Sequence, residues 1–190
     1  MGAGGDVRRH QAGMSRPRRT APTGGAAPDD HAIHDRPGHL IRRLQQIAVA
    51  IFMAETRRFN ITPVQYSALL AIDIHSGIDQ ITLASIIAFD RSTIGNVVGR
   101  LEGKRWIKRA AGAQDRRTKR LTITARGRKV LREIDQSVEA AQRLILAPLR
   151  GAERPAFMAM LRRLVHINND FSRAPVRAPR EQGGRGKPAR

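Results

Sequence analysis

Cysteine is absent from the 190 residues. Structural disulfides, thiolate metal sites and thiol-based redox sensing are therefore excluded. Long hydrophobic runs are missing too: none approaches the ~20 residues a membrane-spanning helix needs. The opening MGAGGDVRRHQAGMSRPRR is Gly, Arg and Pro, without the apolar core of a secretory signal. These absences predict a soluble cytoplasmic protein. The six histidines, at 10, 31, 34, 39, 75 and 166, show no metal-ligand spacing. GxG patterns occur only in the tails, so no Gly-rich phosphate loop is available, and Ser92 has no histidine base near it in sequence. No catalytic group, metal or cofactor is expected.

Negative charge is also scarce. Against 16 Asp and Glu stand 35 Lys and Arg, a net +19, which points to a polyanionic partner. The excess is concentrated. Residues 91–132 hold 14 basic residues and two acids, a net +12, while the remainder of 37–171 balances at nine against nine. A single cationic segment inside a neutral body is the electrostatic footprint expected for phosphates.

Residues 1–36 and 172–190 are rich in Gly, Pro, Ala and Arg without periodicity, and are expected to be disordered basic tails. From Gly38 to about Asn60 an apolar arc of Leu40, Ile41, Leu44, Ile47, Ala48, Ile51, Phe52 and Phe59 recurs at helical spacing. Its breadth calls for more than one neighbour. Glu55 falls inside the arc; either it pairs with a cation or the helix frays there, and pairing is the expectation. Thr62-Pro63 is a helix start for a segment running to about His75. A short helix over Asp79–Ala88 follows, and Asp90 is a plausible cap for another, Arg91 to about Lys104.

The faces of that last helix separate sharply. Ile94, Val97, Val98 and Leu101 lie on one side, and Ser92, Asn96, Gly99 and Gly103 on the other, flanked by Thr93 and Arg100. Short hydroxyls and an amide near a helix start, with a cation further along, are what a major-groove reading helix presents. Gly95 and Gly99 each cost ~1 kcal/mol relative to Ala, which close approach of the helix to DNA would explain. Trp106–Arg109 and Leu121–Thr124 read as two strands joined by AAGAQDRRTKR. A hairpin tip of Asp115-Arg116-Arg117 suits the narrow minor groove, with Asp115 holding Arg117. Thr124 begins a helix to about Leu146, whose Val130, Leu131, Ile134, Val138, Ala141 and Ile145 keep the spacing of a seam against another helix. After Gly151 a last helix carries Phe157, Met160, Leu161, Leu164 and Val165.

The fold class expected is mainly α with a small β-hairpin wing. A winged helix-turn-helix over 63–124 is flanked by dimerisation helices at 37–62 and 125–171. So much apolar helix surface around so small a unit predicts a two-fold homodimer on palindromic double-stranded DNA.

ITPVQYSALLAI, DRSTIGNVVGRLEGKRWIKR, the DRR tip and LTITARGRKVL together resemble the MarR family of bacterial transcriptional regulators, over roughly 38–168. The resemblance implies a homodimeric repressor released when a small molecule binds between the dimer region and the wing domain. Carried over by motif, Ser92, Thr93 and Asn96 face bases, Arg100 holds the backbone, and Asp115 with Arg117 serves the wing. Arg91, Lys104 and Arg116 complete the expected DNA-contact set. Gly95 and Gly99 depart from the family's larger side chains. GHLIRRLQQIAVAIF and LAPLRGAERPAFMAMLRRLV look most like the branch controlling breakdown of aromatic acids, which implies an aromatic carboxylate effector. An anionic ligand needs a cation in a mostly apolar cleft. His39, Arg43 and Tyr66 are the residues of suitable type, although His39 and Arg43 also fit as ordinary boundary residues. The competing reading is an architectural or RNA-binding protein with no effector, which would bind uniformly with steep salt dependence.

Overall fold

A computed structural model describes residues 31–111 and 119–177. Its helices are α1 (His31–His34), α2 (Pro37–Glu55), α3 (Pro63–Ile74), α4 (Gln80–Ile86), α5 (Arg91–Gly103), α6 (Ala125–Ile145) and α7 (Glu153–Ile167), and its strands β1 (Ile78–Asp79), β2 (Ile107–Ala111) and β3 (Lys119–Ile123). The mainly helical class with a small β wing is as expected. The short turn α1 lies within the stretch read as an unstructured arm, whose first 30 residues lie outside the described ones.

Side-chain caps set most of the helix starts. Thr62 accepts the Gln65 N–H, Asp79 the Ile81 and Thr82 N–H groups, Asp90 that of Thr93 and Thr124 that of Gly127. Each satisfies amides that the first turn leaves without intrahelical partners. The α2 helix stops at Glu55 rather than continuing to Asn60. The buried Thr56 turns its hydroxyl back onto the Phe52 carbonyl at 2.7 Å, and a 3-10 turn, Arg57–Phe59, follows. The expected pairing of Glu55 is corrected here: it is the last residue of α2, and no ion pair involves it among the described residues.

The wing has three strands rather than two, in the order β1-β3-β2, all antiparallel. Two residues, Ile78 and Asp79, are too short a run for alternation to reveal, and pairing with Leu121 and Arg120 of β3 is what makes them a strand. Between α3, α4, α5 and this sheet lies the core: Leu69, Ile72, Leu83, Ile94, Val98, Leu101 and Leu121 are fully buried. Each contributes roughly 1.5–3 kcal/mol of apolar burial. The predicted seam of α6 packs on α2 of the same chain, with Ile134, Val138 and Ala141 buried.

One residue's backbone joins α5 to α6. The Trp106 N–H bonds the Leu101 carbonyl at 3.1 Å, and the Trp106 carbonyl accepts the Thr124 N–H at 2.9 Å. Gly127 lies so close beneath that a Cβ there would stand 2.2 Å from the Trp106 oxygen and 2.8 Å from Ile123 Cγ1. No side chain fits without moving the strand or the helix. Gly127→Ala is therefore expected to destabilise the protein by roughly 1–3 kcal/mol, the range for overpacking, measured as a lower denaturation midpoint at unchanged slope.

Candidate nucleic-acid interface

The α4–α5 turn and the start of α5 set the geometry of the expected reading face. Ala88 holds a left-handed conformation (φ 55), which reverses the chain in three residues at a cost of roughly 1–2 kcal/mol for a residue with a Cβ. Asp90 then gathers the first turn of α5. Its carboxylate accepts the Ser92 hydroxyl at 2.6 Å, the Thr93 amide at 2.8 Å and the Thr93 hydroxyl at 2.8 Å. These bonds, the Ser92 hydroxyl first among them, push the Asp90 pKa down to about 2.

The cap changes what Ser92 and Thr93 can offer. A hydroxyl has one proton, and in both residues it is committed to Asp90. Their outward oxygens are left with lone pairs, suited to accept from base amino groups of cytosine or adenine. Asn96 and Arg100 are exposed on the neighbouring turns, and Ile94, Val97, Val98 and Leu101 are buried on the opposite side. The face separation read from the sequence is thus present in space. Asp115, Arg116 and Arg117 lie outside the described residues, as does the side chain of Arg91.

Lys104 sits elsewhere. Its ammonium lies over the Trp106 ring, 4.5 Å from the centroid, and donates to the Asn60 carbonyl. Partial desolvation, then the Arg100 charge, lowers its pKa. Its position ties the end of α5 to the approach of α3.

Both unexplained glycines border neighbouring side chains. A Cβ on Gly95 would meet Gln80 Nε2 at 3.5 Å, and one on Gly99 would meet Arg109 Nη2 at 3.8 Å. Both are ordinary van der Waals contacts, so nothing inside the described chain demands glycine at either place. Sequence reasoning also missed Arg109. It enters from β2 and binds Glu102 of α5, Nε to Oε2, at 2.8 Å. The signal was present in strand alternation, since Arg109 shares a strand side with the buried Ile107.

The three effector residues are not brought together within one chain. His39 is half-buried, its ring edge-on to His34 at 5.0 Å between centroids. Partial desolvation, then the Arg42, His34 and Arg43 charges, lowers its pKa. Arg43 is exposed and donates to Gln46 at 3.4 Å. Tyr66 packs instead on Phe52, centroids 5.9 Å apart, and burial, then Asp135, raises its pKa. Thirteen residues of α2 separate His39 from Phe52, about 20 Å at 1.5 Å per residue. A groove of about 710 Å³ runs along α7, lined by Leu161, Arg162, Val165, His166, Asn169, Asp170 and Val176, and includes none of the three.

Because the folded pKa of Asp90 lies below its unfolded value of 3.8, its contribution is complete above that value and is lost as pH falls through about 2. Amide exchange at Thr93 is expected to lose protection across this window, and in Asp90→Ala to lack that protection at every pH.

The sequence profile of the MarR family matches residues 59–118. The HTH-type transcriptional repressor NicR of Pseudomonas putida is 27% identical over 146 residues, covering 75% of this chain and 92% of that protein. Among solved structures, PcaV of Streptomyces coelicolor in complex with its natural ligand is 32% identical, with 75% of this chain and 98% of that one covered at a TM-score of 0.64. BpsR of Bordetella bronchiseptica, described for regulation of its DNA binding by 6-hydroxynicotinic acid, is 27% identical, with 69% and 94% covered at a TM-score of 0.65. With the capped reading helix, the three-stranded wing and these matches spanning nearly the whole of the relatives, the chain belongs to the MarR family of transcriptional regulators.

Proposed function

We propose that this regulator is a homodimeric repressor that binds a palindromic operator in the cytoplasm and is released by a small aromatic carboxylate. The observation that carries the reading is the pairing of a reading face on α5 with two long helices that keep large apolar side chains exposed among the described residues. On α2, Leu40, Ile41, Leu44 and Ile47 are exposed, Ile41 at 62%. No residue of α7 is buried, and Leu164 is 54% exposed. So large an apolar surface is covered in soluble proteins by a partner, and a second copy joined across these helices presents two copies of α5 about one DNA turn apart. The domain division expected from the sequence, a wing domain between helices that dimerise, suits this arrangement.

The effector reading follows from the same surface. His39 and Arg43 stand on the exposed end of α2, where a second copy brings its own helices, so a cleft with a cation and apolar walls forms when two chains meet. The relative BpsR, whose DNA binding is regulated by 6-hydroxynicotinic acid, supports an aromatic acid as the class.

On the DNA upstream of its own gene, the protein is expected to shift a palindromic duplex in preference to a scrambled one of equal length. Asn96→Ala should weaken that binding roughly tenfold, at the scale of one lost base contact. Equal binding to both duplexes, falling steeply with salt, supports the architectural reading instead. With a panel of aromatic carboxylates, Arg43→Ala is expected to bind DNA as the wild type does and to resist release. Normal release from that variant removes Arg43 from the effector site.

A further inference from the structure

The reading face of α5 is bare where an outward side chain belongs. Gly99 lies between Asn96 and Gly103 on that face, and a Cβ at Gly103 would meet nothing within 4 Å. Glycine here weakens the helix, by ~1 kcal/mol relative to Ala, and the chain around it would accept alanine. The space beside Gly99 is taken by a group from another element. Arg109 reaches over from β2 with Nη2 3.8 Å from the position of a Gly99 Cβ, while its Nε edge is held by Glu102 at 2.8 Å. Both side chains stay partly exposed, at 31% and 42%. A guanidinium carries five N–H donors in a rigid fork, and Nε supplies one of them.

We infer that Arg109, aimed by Glu102 across the gap at Gly99, is a base-reading residue of the DNA interface. The inference rests on the reading of the chain as a sequence-specific DNA-binding regulator. The wing strand delivers a second guanidinium beside Gly99, in addition to the Arg100 that α5 carries itself. The chemistry such a fork recognises is the paired O6 and N7 acceptors of guanine in the major groove. The carboxylate beside it favours bases over phosphates. An arginine serving phosphates acts by its charge, which Glu102 offsets, whereas directional hydrogen bonds to a base edge need a guanidinium fixed in orientation. Glu102 is thus a positioning residue.

The test begins with selection by the wild-type protein from a pool of duplexes with a randomised core, which defines its preferred half-site. The wild type, Arg109→Ala, Arg109→Lys and Glu102→Gln are then compared on every single-base variant of that duplex at fixed salt. Arg109→Ala is expected to lose preference for one G·C pair per half-site, roughly tenfold, with discrimination elsewhere retained. Arg109→Lys should keep part of that preference, since an ammonium donates without the fork. Glu102→Gln should lower discrimination at the same pair and no other. Two results overturn the inference: uniform weakening of all duplexes with a shallower salt dependence in Arg109→Ala, the signature of a phosphate contact, or an unchanged base profile. A wild type that selects no sequence defeats the underlying regulator reading itself, and so is told apart from both. The Lys and Gln variants retain a polar head at each position and keep the comparison decisive if the Ala variant folds poorly.

Discussion

The backbone of Trp106 is the constraint on which the rest of the structure depends. Its N–H closes the end of α5 on Leu101 and its carbonyl receives the first amide before α6, with Gly127 pressed beneath. The Thr124 hydroxyl, which caps α6, also faces the Arg105 and Trp106 carbonyls at 2.8 and 3.0 Å. The helix with the reading face and the helix that packs on α2 are therefore held rigidly through one residue. A change in the angle between α2 and α6 cannot leave α5 where it was, because close-packed interiors transmit displacement rather than absorb it.

At the other end of α5 the design is electrostatic. Asp90 places a carboxylate at a helix start, where the helix dipole favours it, and accepts hydrogen bonds from the Ser92 and Thr93 hydroxyls. A negative charge at the tip of a DNA-reading helix opposes phosphates, yet its hydrogen bonds keep two small side chains in one orientation. Specificity is served here by restricting what each group can donate. Arg109 and Glu102 repeat the theme on the flank of the helix: a carboxylate holds a donor in place. The bulk of the attraction is left to the +12 excess of residues 91–132, which needs no particular geometry.

Much of this was legible in the sequence because it depends on local chemistry. Thr62, Asp79, Asp90 and Thr124 announce helix starts through side chains that bond amides two or three residues on. The period of Ile94, Val97, Val98 and Leu101 reveals the buried side of α5, and with it the reading side. What was not legible depends on partners distant in the chain. β1 is a strand only because β3 offers Leu121 and Arg120 to pair with. Glu55 looked as if it should pair because the periodicity ran past it, but Thr56 ended the helix by bonding back to Phe52. The contacts of Lys104 with the Trp106 ring and the Asn60 carbonyl join parts of the chain that no local pattern connects. Within one chain the length of α2 separates His39 from Tyr66, which packs on Phe52.

By itself, the sequence determined the order of helices, the face of α5 turned from the core and the segment that carries the charge. These follow from periodicity, capping and composition, which act over a few residues. Only the tertiary structure decided which groups reach that face. Packing β2 against α5 brought Arg109 to Gly99, and packing α6 under Trp106 required Gly127 to have no side chain. Both are contacts between elements, set by how closely two backbones approach, and no local pattern of residues encodes that distance.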